Sequence, residues 1–350
     1  MNKIISLLGV LIFAGCFTEP ELKSSCFDEA LLNQQIDSSQ IAFILSEGTF
    51  DNVDASLWGV KGESIEELPG NPTGNTAISM AIHNNNLYIV NNASGTIIKY
   101  EISDLGMVRP TCETLDLNGS SPREILIIDD KAYVSQWNVF GIAVIELLSF
   151  THTSTIDVNG HTEGLTYDGT NLFAAITYND YSTFTAGNSV VKISLVTSMV
   201  EATYIVNTSP QQLIFNNGFI YVSSTFYDES WNVNYATSLI DLSSNEVSII
   251  NHGNSVTFGN DFSIYNNMVY RAYDKGVVAL NDDHSIDMST YIGTEYTGLY
   301  SMAINEDLIY LGFGDYTAPD NVIVLDFDGN EISNFQVGAS PGSFAFWKSE

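Results

Sequence analysis

The feature that most constrains the fold of this chain is an internal repeat. Residues 121–158, SPREILIIDDKAYVSQWNVFGIAVIELLSFTHTSTIDV, read as four short strands at 125–128, 132–135, 142–147 and 154–158. Each is a run of β-branched and aliphatic residues bounded by Asp, Asn, Gly or Ser. The same unit returns along the sequence. An aromatic follows a Pro or Thr by eleven positions in three places: Tyr133 after Pro122, Phe173 after Thr162 and Tyr221 after Pro210. The markers stand 40 and 48 residues apart, the spacing of four-stranded propeller blades.

Further units follow the same plan at 75–117, 160–206, 209–252, 258–293 and 296–338, with insertions at 178–188 and 225–236. The two ends of the chain complement each other. Residues 41–45 take the place of 132–135, so the N-terminal unit opens on a second strand; residues 341–347, PGSFAFW, take the place of an innermost strand with nothing after it. The expected fold is therefore all-β, a seven-bladed β-propeller with one blade built from both termini, which leaves no sheet edge loose. Rings of six or eight blades stay open, because the outer strands of the first unit are weakly marked.

Length alone would allow two domains in 350 residues, but repetition argues for one closed ring. A hydrophobic content of 45% with 12% aromatics is enough for a buried core and excludes a disordered chain. Charge is one-sided: 42 acidic against 11 basic side chains, a net −31. Such a surface repels phosphate backbones, and no basic patch reverses it, so nucleic acid is excluded as a partner. The acidity itself reads as solubility in a salty medium.

Residues 1–15 have the build of an export signal, with Lys3, an apolar run from 4 to 14 and small residues before Cys16. The run is too short for a transmembrane span. The ending Phe13-Ala14-Gly15-Cys16 resembles the bacterial lipobox, with Phe13 where Leu, Val or Ile is usual. That resemblance implies lipidation of Cys16 as the first mature residue; an ordinary secretory signal is the alternative. Glu19 and Glu21 resemble the surface-export tag of Bacteroidota lipoproteins. Residues 16–40 are polar and aperiodic and read as a flexible tether, leaving 41–350 for the propeller. Export makes Cys26 and Cys112 an even pair in an oxidising compartment, where a disulfide and two free thiols are both open.

In a propeller, the loops that lead into each innermost strand share one face with the loops between second and third strands. The position after the Pro/Thr marker then rings the central tunnel: Ile78, Arg123, Glu163, Gln211, Asp261, Tyr300 or Ser301, and Gly342. This mixture is too polar for ordinary core. It reads either as a ligand pocket or as side chains that satisfy one another and tunnel water. The loops on the same face carry Trp137, Tyr181, Tyr227 and Trp231. Such rings offer stacking surface with a hydrogen-bonding tip; the alternative is loops folded around their own aromatics. Enzyme signals are thin. There is no G-x-S-x-G, H-E-x-x-H or phosphate-cradling loop, and His83, His152, His161, His252 and His284 show no ligand spacing. His161 beside Glu163 reads as a hydrogen-bonded surface histidine, and Asn281-Asp282-Asp283 as a turn rather than a calcium loop.

The phrases SPREILIIDDKAYVSQW and VNGHTEGLTYDGTNLFAA resemble YVTN-type, YncE-like propeller repeats. AFILSEGTFDNVDASL, NTAISMAIHNNNLYIVNNASGTI and NVIVLDFDGNEISNFQVGASPGSFAF are similar to an uncharacterised group of Bacteroidota surface lipoproteins. Relatives of that group include surface propellers that sit over TonB-dependent transporters and capture cobalamin. The resemblance implies nutrient capture; no cobalamin-contact motif is matched residue by residue, so the ligand does not carry over. The expectation is a lipid-anchored outer-membrane protein, at the cell surface or on the periplasmic face, monomeric outside its complex. It would bind a small molecule or a transporter at the tunnel mouth, without catalysis, metal or cofactor. A lactonase- or quinoprotein-like propeller enzyme and an adhesive surface protein are the rival readings.

Mass spectrometry of the mature N-terminus should show a diacylglyceryl-modified Cys16. Cleavage at another residue, with no lipid, would remove the anchor.

Overall fold

The structure, a computed structural model, describes residues 39–49, 52–69, 76–254, 261–317 and 319–349. The expected signal peptide, Cys16, Cys26 and all but the last two residues of the tether lie outside them. Cys112 is disulfide-bonded, to a partner that also lies outside.

The described chain forms seven four-stranded antiparallel sheets. Six are consecutive in sequence: the second blade spans 77–116, the third 122–157, the fourth 161–205, the fifth 210–253, the sixth 262–293 and the seventh 299–337. The remaining one, the closing blade, orders Pro341–Lys348 innermost, then Gln40–Ser46, Ser56–Lys61 and Ser64–Glu67. Both ends of the chain build it, as the complementary deficits in the sequence require.

The middle strands of each blade are sandwiched between neighbouring blades and buried on both faces. Lys131–Gln136 and Gly141–Glu146 are buried at nearly every position, while the outer strand Thr151–Asp157 is largely exposed. That double burial is why the middle strands read as unbroken apolar runs. The core accordingly lies between blades. The innermost strand of the closing blade feeds two wedges at once: Ala345 and Trp347 pack with Phe43, Leu87 and Tyr100 towards the second blade, while Phe344 and Phe346 pack against Tyr310 and Val324 of the seventh.

The chain enters most innermost strands through a left-handed residue: Thr76, Ser121, Gly160, Ser209, Gly298 and Ser340 all have positive φ. In four blades its carbonyl accepts an amide from the end of the second strand: Asn92 to Thr76, Trp137 to Ser121, Gly314 to Gly298 and Glu47 to Ser340, at 2.9–3.0 Å. These bonds tie each lead-in turn to the loop beside it, so tunnel rim and loop residues hold fixed relative positions.

One expectation changes. The segments 178–188 and 225–236 are not mere loop insertions. The strands themselves lengthen, and Asp180 pairs with Thr185 and Tyr227 with Val233, so two hairpins rise above the face.

Trp347 is 4% exposed, and its indole N–H donates to Asn85 Oδ1 at 2.8 Å. Trp347→Ala should cost about 3–5 kcal/mol in denaturant unfolding, and deletion of residues 341–350 should abolish the cooperative transition. Leu148→Ala, at a position 94% exposed, should change stability by no more than about 0.5 kcal/mol. Comparable losses from all three would contradict closure by the C-terminal strand.

Candidate functional site

The tunnel is polar at its mouth because of β-bulges. Where an innermost strand meets its second strand, the register slips at the same place in six blades: Ala77/Ser79, Pro122/Ile125, Thr162/Leu165, Pro210/Leu213, Leu299/Ser301 and Leu45/Ser46. A bulge inserts residues that the partner strand does not match, and so re-aims their side chains. The extra residues are Ile78, Arg123 with Glu124, Glu163 with Gly164, Gln211 with Gln212, Tyr300 and Gly342. Freed amides find local partners: the N–H groups of Glu124 and Gln212 donate to Ser135 Oγ and Ser223 Oγ, at 2.9 and 3.0 Å.

These residues surround a cavity of about 280 Å³ lined by Arg123, Glu124, Glu163, Gln212, Asp261 and Phe344, among others. Arg123 and Glu163 form an ion pair in its wall. The guanidinium Nε donates to both carboxylate oxygens at 3.0 Å and Nη2 to Oε1 at 2.7 Å, with the two side chains 17% and 13% exposed. The guanidinium carbon lies 4.0 Å from the centre of the Trp137 ring, so the cation is held between a carboxylate and a π face. Trp137 is in turn packed by Tyr178 and Tyr181, at ring separations of 5.4 and 4.8 Å. His161 donates from Nδ1 to the Trp137 carbonyl. It is buried at 8% exposure, with Phe140 against its ring, rather than at the surface. The indole N–H of Trp137 is buried and finds no acceptor among the described residues.

Three further buried carboxyls, Glu47, Glu124 and Asp261, have no ion-pair partner among the described residues. Glu124 accepts the Leu165 amide at 3.2 Å and Asp261 the Met302 amide at 2.9 Å. Glu47, from the closing blade, accepts the Tyr300 phenol. Burial raises all three: Glu47 and Asp261 to about 7 and Glu124 to about 8, the neighbouring Glu163 carboxylate adding to the rise in Glu47 and Glu124. The Tyr300 phenol is also raised, by burial first and then by Glu47. Gly342 makes room for this arrangement, since a Cβ there would sit 2.3 Å from Glu47 Oε1. At neutral pH these carboxyls can donate or accept a hydrogen bond, and can give or take a proton. Among the described residues, no three His, Cys, Asp or Glu side chains converge on a metal-sized point.

The structure brings Arg123, Glu163, Asp261, Trp137 and Tyr181 together at the mouth, and Tyr300 beside them over Glu47. Gln211 accepts from Thr225 Oγ1 at 3.3 Å, and its neighbour Gln212 is the one that lines the cavity. Tyr227 is 60% exposed on its hairpin, at the end of the strand that leaves the tunnel face. Trp231 stands at the rim, 81% exposed, with its ring 6.1 Å from that of Tyr227. Sequence reasoning missed Glu124 and Glu47. Glu124 follows Arg123 directly and would have been found by allowing two residues per bulge. Glu47 occupies the place of Trp137 in its own blade, as its amide bond to Ser340 shows.

No known protein family and no curated protein matches the sequence. Solved structures match in shape. A candidate 6-phosphogluconolactonase from Bacteroides uniformis ATCC 8492 gives a TM-score of 0.65 at 10% identity, over 88% of this chain and 100% of that one. Another from Bacteroides fragilis NCTC 9343 gives 0.62 at 13%, over 88% and 98%. Apo AztD from Citrobacter koseri gives 0.57 at 11%, over 89% and 99%. At such identities the likeness is one of fold.

The raised carboxyls have a consequence for stability. In the folded protein they keep protons up to about pH 7–8, whereas in the unfolded chain they release them near pH 4. Between those limits the folded state binds more protons, so stability falls as pH rises, by at most about 1.4 kcal/mol per pH unit for each group. Melting between about pH 5 and about pH 9 should show a shallower fall for Glu124→Gln than for the natural protein. Equal slopes would mean that Glu124 ionises like an exposed glutamate.

Proposed function

We propose that this protein binds a small polar molecule at the tunnel mouth. The observation that carries the reading is convergence: Arg123, Glu124, Glu163 and Asp261, from three blades, line one cavity of about 280 Å³. Trp137 and Tyr181 stand beside it. A concavity with aromatic walls and a few fixed polar groups is the usual form of a small-molecule site. Carboxyls near neutrality suit a ligand that presents hydroxyl or amine groups, because they can meet either a donor or an acceptor. The lipobox-like N-terminus and the repeat resemblance support the wider proposal. In it the propeller is anchored to the outer membrane and captures a nutrient for a TonB-dependent transporter.

A second reading is enzymatic. It is favoured by the raised carboxyls of Glu47, Glu124 and Asp261, which change charge near neutral pH, as suits a general acid or base. The candidate 6-phosphogluconolactonases of the same fold make lactone hydrolysis the reaction to try.

Screening vitamins, siderophores, glycans and lactones by thermal shift, with product analysis for the lactones, separates the two readings. For a bound ligand, Arg123→Ala and Trp137→Ala should each weaken binding by ~2 kcal/mol, about thirtyfold, measured by calorimetry. Trp231→Ala at the rim should matter less. Turnover of a lactone would favour the enzyme. Full-strength binding by both central variants would move the site away from the tunnel mouth.

A further inference from the structure

Among the described residues, the wedge between the fifth and sixth blades has Tyr221, Leu239, Val269 and Leu280 as its buried apolar core. Towards the tunnel-mouth face the facing pairs change character: Tyr221 opposite Leu239 gives way to Ser223 opposite Thr237 and then Thr225 opposite Tyr235. Alternation along the strands puts all three pairs on the same side of the sheet. Against this polar end lies Arg271, the largest fully buried side chain described, at 1% exposure.

Its hydrogen bonds are few for a guanidinium with five N–H donors. Nη1 donates to Thr237 Oγ1 at 2.7 Å and more distantly to the Ala236 carbonyl at 3.5 Å, and Nε donates to the Ala272 carbonyl at 3.3 Å. None of these bonds uses Nη2, and no ion pair among the described residues includes Arg271. The other basic groups nearby offer no compensation. His252 shares Thr237 Oγ1, at 2.9 Å from Nε2, and is held neutral by burial, by Arg271 and by His284. His284 is 3% exposed, with neither ring nitrogen hydrogen-bonded. Phe262, whose ring centre is 5.9 Å from the guanidinium carbon, lines the tunnel cavity, so the wedge lies behind the tunnel wall and is a separate place.

A guanidinium taken out of water without a counter-charge is strongly unfavourable. This chain carries 42 acidic residues, yet places none of those described against this cation. We propose that the wedge between the fifth and sixth blades holds a small monovalent anion, chloride or an ion of its size, against the free edge of the Arg271 guanidinium. Net charge selects the valence: the wedge offers one permanent positive charge, and burial disfavours a second on either histidine. Near-complete burial selects size, because a halide sheds its water more readily than phosphate or sulfate. The ion would act as an internal counter-charge that fastens the sixth blade to the fifth.

Melting of the full chain in sodium chloride or bromide, against sodium gluconate at equal ionic strength, reads the site directly. The halides should raise the melting temperature by about 2 °C or more, and Arg271→Met should lose that difference. Crystals grown in sodium bromide should show an anomalous peak within hydrogen-bonding distance of the guanidinium, a measurement that stands even if the variant fails to fold. No halide preference in the natural protein, a preference that survives Arg271→Met, or bromide bound only elsewhere would overturn the proposal.

Discussion

Pairing of Pro341–Lys348 with Gln40–Ser46 joins the two ends of the described chain over seven matched residues, and the geometry of every other blade depends on it. Blades in a ring brace one another only through the wedges between them, so an open ring has two sheets with one bare face each. Closure covers both. It sets Trp347 into the wedge on one side and Phe344 and Phe346 into the wedge on the other. It also delivers Glu47 to the tunnel, because the amide of Glu47 is bonded across the closing strand's lead-in turn. The contact that finishes the fold therefore also finishes the candidate site.

Polar side chains stitch the innermost strands to one another around the ring. Ser79 donates to the Arg123 carbonyl, while Thr166 and Ser263 accept the Phe215 and Ile304 amides. Glu124 and Asp261 make the same kind of contact with carboxylates. A serine or threonine would satisfy the amide at no electrostatic cost. Carboxyls in these two places are raised by burial, and the fold retains them at some expense in stability. That expense is what the proposed binding site would account for.

The same residue types behave in opposite ways elsewhere. Asp180, Asp228, Asp241, Asp283, Asp315 and Asp326 stand in turns or at the strand ends that lead into them, where bonds from Ser, Thr or Asn side chains and from nearby amides hold them below the usual carboxylate range. They fix loop conformation. The Asn281-Asp282-Asp283 cluster belongs here: Asp283 accepts from Ser285 and closes a turn. Surroundings, not residue identity, separate the acidic groups that shape loops from those poised near neutrality in the tunnel.

Repeat spacing, strand periodicity and the complementary ends were enough to establish an all-β ring closed by both termini, because a blade's middle strands must be apolar on both faces and its turns must be polar. The ring position after each marker was legible for the same reason, which is how Arg123, Glu163 and Asp261 were found. Seven blades were expected from the sequence, and the tertiary structure set aside six and eight by pairing the four-residue Ser64–Glu67 as the outer strand of the closing blade. Glu124 needed the tertiary structure, since it reaches the cavity only because its bulge holds two residues against one. Glu47 stands at the repeat position of Trp137, but its contact with the tunnel depends on Gly342, and the burial of Arg271 against Thr237 follows no sequence pattern. Local periodicity decides which face a side chain takes. Only the packing of distant blades decides whether a charge on that face meets water, a partner or neither.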